Sequence, residues 1–289
     1  MKLTLSFTCK LIIFLSLFVG CSSAPKVIFK DTVDTETKSI NYQDKKVFTF
    51  ASSGVYFSNK FEGARLNAVD QLNDSVFSVT ILPENEPINH SPYYAIDVWS
   101  SSLKEITLKF KYPEKYNHRY IPKIKSNGTW SVADSLTFQF DENFSSFKLQ
   151  INPTAKTVSG QELHTSSVVY SWVDQLIEGK ESFVRSKTIG KTKLKKPFRV
   201  LDIYKGSPKN KPVLVLITRQ HPPEVTGYFA FQAFLSTILD ENKLTSSFLD
   251  HYRILAFPLM NPDGVDLGHW RHNAGGVDTN RDWSFYHQP

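Results

Sequence analysis

The feature that constrains this chain most is a change of hydrophobic period near Pro153. Ahead of it, apolar residues alternate with polar ones in short runs: Val47–Phe50, Ser75–Thr80, Tyr94–Trp99, Ile106–Phe110, Leu136–Phe140 and Phe147–Ile151. Period-two alternation buries one face of an extended segment and wets the other, so each run predicts a strand. Asn127-Gly128 and Pro83-Glu84-Asn85 predict turns between them. Many short strands without helical patterning predict an antiparallel β-sandwich over residues 45–153.

Beyond Pro153 the spacing becomes helical. Ser166–Ile177 carries apolar residues at helix period, with Thr165 or Ser166 as N-cap and Gly179 as a stop. Phe198–Ile203 reads as a strand. Pro212–Ile217 is a continuous aliphatic run, which predicts a strand buried on both faces. Val225–Leu239 predicts a long helix and Tyr252–Phe257 another buried strand. Strand, helix and strand in this order predict an α/β region over 154–289.

Hydrophobic residues make up 40% of the 289 and charged ones 21%, which excludes wholesale disorder. The net charge is +6, and its densest run, Arg185–Arg199, is expected to be a solvated linker. No aromatic–basic module accompanies it, so nucleic acid is not an expected partner. At the N-terminus, Leu11–Val19 is apolar but too short to span a bilayer, and it reads as the core of an export signal over 1–20. Phe18-Val19-Gly20-Cys21 resembles the lipobox of bacterial lipoproteins. That resemblance implies lipidation at Cys21, a membrane anchor, a place in the bacterial cell envelope, and a tether over 21–44. The remaining cysteine, Cys9, lies inside the signal, so any metal must be held by His and carboxylate.

The chemistry-bearing residues begin where the 212–217 strand ends, at Arg219-Gln220-His221-Pro222-Pro223-Glu224. In open α/β sheets ligands gather at the carboxyl ends of strands. The two prolines suit a first helical turn. The three-residue spacing of His221 and Glu224 then places an imidazole and a carboxylate on one face, two of the three protein ligands of a catalytic zinc. Three further pieces follow: the turn Asn261-Pro262-Asp263-Gly264, the pair Trp270-Arg271, and Gly276-Val277-Asp278-Thr279-Asn280-Arg281-Asp282-Trp283.

In this order the four pieces resemble the metallocarboxypeptidase family. The resemblance implies zinc (Zn2+), with His221 and Glu224 as its first two ligands. It implies that Arg271 polarises the scissile carbonyl and that Asn280 and Arg281 grip the terminal carboxylate of a peptide or protein. The planar arginine fork suits that last task. Arg219 receives no role, and His269, His272 and His287 are expected to be solvated loop residues. A β-sandwich ahead of the peptidase part is similar to the cytosolic carboxypeptidase-like branch. The resemblance also places the third ligand, a histidine, and the general base, a glutamate, downstream of Pro289, so the chain is expected to be a fragment. The alternatives are a non-catalytic surface lipoprotein whose sandwich binds a partner, and a hydrolase of cell-wall stem peptides.

Overall fold

The computed structural model describes residues 37–86, 91–140 and 145–283. The expectations for the export signal, for Cys21, for the first part of the tether and for His287 fall outside these residues.

Two sheets face each other to form the N-terminal sandwich. In one, β1 (Val47–Phe50), β2 (Val55–Ser58), β5 (Ala95–Ser100), β11 (Lys156–Ser159), β7 (Lys123–Ser126) and β8 (Thr129–Val132) lie in that spatial order. In the other the order is β3 (Ala68–Asn73), β4 (Val76–Thr80), β6 (Lys104–Lys111), β10 (Ser145–Ile151) and β9 (Phe138–Phe140). Alternation does what the sequence predicts. Ile106, Leu108 and Phe110 of β6 point inward while the residues between them are partly exposed. Facing them from the other sheet are Phe57, Ile96 and Val98, all fully buried. Asn127 (φ 51°) and Gly128 (φ 83°) turn β7 into β8, a connection that needs positive φ at both central residues.

Pairing is antiparallel except between β4 and β6, which run parallel. The intervening strand β5 belongs to the opposite sheet, so the chain re-enters the second sheet from the same end. The sandwich also extends past the predicted boundary at 153, because β11 pairs with both β5 and β7. The predicted tether is likewise shorter than 21–44. Lys38 N–H donates to the Gly276 carbonyl (3.0 Å), Asn41 N–H to the Glu84 carbonyl (2.7 Å), and the Gln43 amide to the Ala64 carbonyl (2.6 Å).

The third sheet has the order β12 (Val184–Lys191), β13 (Pro197–Ile203), β15 (Arg253–Phe257), β14 (Val213–Ile217). Strand β14 runs parallel to β15 and the other pairs are antiparallel. Helices α1 (Ser166–Ile177), α2 (Val225–Ile238) and α3 (Lys243–His251) pack on one face. Leu201, Ile203, Ile254, Ala256, Leu214 and Leu216 meet them there. Among the described residues no helix is long and apolar enough to cross a membrane.

Two expectations change here. Strand β14 is not buried on both faces: Val213, Val215 and Ile217 are 49%, 55% and 38% exposed, because the helices cover only the Leu214–Leu216 side. The lysine run is no linker. It forms the β12–β13 hairpin, whose tip docks on a short helix, α4 (Pro262–Leu267). Thr192 Oγ1 and Leu194 N–H donate to Asp263 (2.6 and 3.0 Å), and Lys196 pairs with Asp266 and with Glu62 (3.1 Å).

Candidate active site

Strand β14 delivers the chain to Arg219, which turns it through a positive φ of 59°. The strain this imposes on a non-glycine residue is balanced by how the side chain is held. Its guanidinium is buried, donates to the carbonyls of Pro222 (2.7 Å) and His164 (3.3 Å), and lies over the Tyr228 ring. Arg219 is thus the strut of the turn that follows. In that turn Glu224 N–H donates to the His221 carbonyl (3.2 Å). Helix α2 begins only at Val225, so the prolines rigidify a turn ahead of the helix rather than forming its first turn. The turn still brings the side chains together: His221 Nδ1 lies 2.6 Å from Glu224 Oε1. His221 is 2% exposed and the Glu224 side chain 55%, so the pair runs from the interior to the surface.

The other edge of His221 meets a carboxylate that no sequence reading singled out. Asp278 is fully buried, and its Oδ1 lies 2.8 Å from His221 Nε2. Its Oδ2 accepts from Arg271 Nε (3.0 Å), and Asn280 N–H donates to Oδ1 (3.0 Å). Arg271 Nη2 is 2.9 Å from the same His221 Nε2. Burial opposes a charge on His221, but the bonds to Asp278 and Glu224 outweigh it and raise the imidazole pKa. Burial also works against the Asp278 charge, yet His221 and Arg271 hold that carboxyl far below its ordinary range. A carboxylate behind an imidazole fixes the ring's orientation and raises its basicity, the usual support for a metal-ligating histidine.

The Asn-Pro-Asp-Gly segment is not a free turn but the start of α4. Asn261 caps it, accepting from Gly264 N–H (2.9 Å), and Pro262 occupies the first helical position. A side chain at Gly264 would meet Asn261 and the His272 carbonyl at about 2.6 Å, so the helix and the loop after it can close only on glycine. Two further bonds tie the 278–280 segment to the His221–Glu224 turn. Gln220 Nε2 donates to the Thr279 carbonyl (3.2 Å), and Thr279 Oγ1 to the Gln220 carbonyl (2.9 Å).

A family profile described as zinc carboxypeptidase matches residues 169–288. These residues belong to that family. The chain is 22% identical over 257 residues to mouse cytosolic carboxypeptidase 3, covering 79% of this chain and 25% of that protein. It is 32% identical over 75 residues to human cytosolic carboxypeptidase 1, covering 26% of this chain and 6% of that protein. In fold it is similar to a metallo-carboxypeptidase from Burkholderia cenocepacia, with TM-score 0.69 and 14% identity over 79% of this chain and 62% of that one. A metallo-carboxypeptidase from Pseudomonas aeruginosa gives 0.64 and 17% over 78% and 61%. The chain thus spans a quarter of the mouse relative and about three-fifths of these solved structures.

Of the residues expected at a zinc carboxypeptidase site, His221, Glu224 and Arg271 converge within hydrogen-bond distance of one ring. Asn280 joins them by its backbone, through Asp278, while its side chain accepts from Trp283 Nε1 (3.2 Å). Arg281 turns Nη1 onto the Asn280 carbonyl (3.0 Å). The expectation of solvated His269 and His272 is wrong. Both are buried: His272 Nδ1 lies 2.9 Å from Glu84, and His269 Nδ1 lies 2.9 Å from the His272 carbonyl. Burial lowers the His269 pKa to about 4, which keeps that ring neutral.

The donor set fits zinc as far as it goes. His221 Nδ1 and Glu224 Oε1 face one another, and the distal ring nitrogen is occupied by Asp278, so Nδ1 is the ring nitrogen left to face a metal. Among the described residues no group of three His, Cys, Asp or Glu side chains is arranged so that it could hold a metal ion. A third protein ligand is therefore not among them.

Proposed function

We propose that this chain carries two of the zinc-binding residues and the carbonyl-polarising arginine of a zinc-dependent carboxypeptidase, which cleaves the terminal peptide bond of peptides or proteins that present a free C-terminus. The observation that carries the reading is the continuous ladder Glu224–His221–Asp278–Arg271. His221 Nδ1 and Glu224 would hold the metal. When bound, zinc supplies Lewis acidity to polarise a carbonyl and to activate water.

The protein's own residues do the rest. Asp278 fixes the His221 ring with one oxygen and the Arg271 guanidinium with the other, so ligand and cation keep one relative position. A pre-oriented guanidinium stabilises negative charge developing on a carbonyl oxygen without having to reorganise, typically among the larger catalytic contributions. Asn280 and Arg281, two and three residues beyond Asp278, would take the substrate's terminal carboxylate. We place this activity in the bacterial envelope, a reading that rests on Leu11–Val19 and Cys21.

The test is metal content. Purified full-length protein should carry about one zinc per chain, as a catalytic site holding a single ion requires. His221→Ala and Glu224→Ala should lose both the zinc and the release of amino acids from peptides. Unchanged zinc and activity in both variants would sink the reading.

A further inference from the structure

The loop that carries Arg271 belongs structurally to the sandwich. Trp270 is fully buried, and its ring lies in the sandwich core, edge-on to Tyr116 at 5.2 Å, with Nε1 donating to the Tyr93 carbonyl (2.9 Å). Gly268 enters the loop at φ 67° with its α-carbon so close to the sandwich that a side chain would sit 2.3 Å from the Ala64 carbonyl. Between these contacts stands Glu84, fully buried and contributed by the segment after β4. Its Oε2 accepts from Trp270 N–H (2.7 Å). Its Oε1 accepts from Arg271 N–H (3.0 Å) and His272 N–H (2.8 Å) and lies 2.9 Å from His272 Nδ1.

Three consecutive backbone N–H groups aimed at one carboxylate fix the path of the chain through Arg271. An anion in that nest makes charge-assisted bonds, stronger than neutral ones. Burial opposes the charge of Glu84, but the His272 hydrogen bond and the buried Arg65 guanidinium keep the carboxyl well below its usual range. None of these contacts reaches the metal pair. Glu84 reaches Arg271 through its backbone N–H, alongside the Trp270 and His272 backbone and the His272 ring, while the Arg271 side chain touches Asp278 and His221.

We propose that Glu84 is a positioning residue for the peptidase reaction, by which the sandwich sets where the Arg271 guanidinium stands. The sandwich then serves as half of the active-site scaffold rather than as an independent binding module. This inference rests on the carboxypeptidase reading for its kinetic consequence, though not for its structural one.

The test uses the full-length protein and Glu84→Gln, which keeps the side-chain shape but offers one acceptor atom where the carboxylate has two. Hydrogen exchange at Trp270, Arg271 and His272 should accelerate at least about tenfold while the amides of β5 and β6 keep their protection. With a peptide substrate, kcat should fall by up to about 100-fold with KM changed far less, the mark of a misplaced transition-state group. In an Arg271→Ala background the same substitution should cost less than about twofold, because its effect runs through Arg271. Equal losses in both backgrounds, unchanged exchange at the three amides, or exchange accelerated throughout the sandwich would each overturn the proposal. Should the wild type release no amino acid, the functional reading fails, and the exchange experiment still decides the role of Glu84. If Glu84→Gln does not fold, His272→Gln leaves the carboxylate its three backbone donors and should keep kcat within about threefold. A loss as large as that of Arg271→Ala would overturn the proposal.

Discussion

Two segments carry the residues that flank the His221–Glu224 pair, and they are held in opposite ways. The 268–272 segment is anchored in the sandwich by the buried Trp270 ring, the four contacts to Glu84 and the Gly268 backbone. The 278–283 segment is held at its start by Asp278 and Thr279 and becomes progressively exposed, until Trp283 is 49% exposed. The contrast separates the two tasks. A group that must meet developing charge needs a rigid mount. Groups that receive a diffusing carboxylate tolerate a more open one.

Truncating the two tryptophans tests that contrast most strongly. Trp270→Ala removes a fully buried ring from the sandwich core and should destabilise the protein by roughly 3–5 kcal/mol. Trp283→Ala should stay within about 0.5 kcal/mol. Chemical denaturation of both variants measures the difference, and equal costs would mean that the two segments are mounted alike. Removing Asp278 comes next. Asp278→Asn takes the charge from between His221 and Arg271, and zinc affinity should fall about 10- to 100-fold. A zinc titration checks this, and unchanged affinity would remove Asp278 from the account.

Acid gives a smaller and opposite reading on the two sides. His118, buried within the sandwich beside Tyr112 and Tyr120, has its pKa lowered by burial from 6.5 to about 4. The unfolded chain therefore takes up that proton first. Stability is complete above pH 6.5 and declines as pH falls toward 4, by at most about 3 kcal/mol from this residue. His221 has the reverse sign: its raised folded-state pKa means that its contribution is present at low pH and lost as pH rises. His118→Phe should flatten the acid limb of a stability-against-pH curve. An unaltered slope would show that the ring is not titrating between the two states.

Much of this arrangement is legible in the sequence because it is local. His221 and Glu224 meet through a three-residue turn, Asn127-Gly128 turns β7 into β8, and alternation marks which side of β6 is buried. What escapes is long-range. Glu84 sits within a predicted turn, where a carboxylate reads as solvated, and its partners lie 186 to 188 residues away. Trp270 stands in the sequence only as half of a Trp-Arg pair, while its burial depends on the sandwich core built from residues far from it in the chain. The lysine run misleads because its residues alternate with Ser, Thr and Gly, so an exposed hairpin and a linker have the same composition. The aliphatic run of β14 fixes the strand but not what covers its second face.

The central claim is that this site reads a free C-terminus beside a zinc-binding pair. The most direct test is to time amino-acid release by the full-length, zinc-loaded protein from one peptide with either a free or an amidated C-terminus. Stepwise release is expected from the free terminus and none from the amide, with a rise in KM of about 10- to 100-fold for Arg281→Ala, the cost of losing a charge-assisted contact of about 1.5–3 kcal/mol. Equal cleavage of both peptides, or of neither, would contradict the claim.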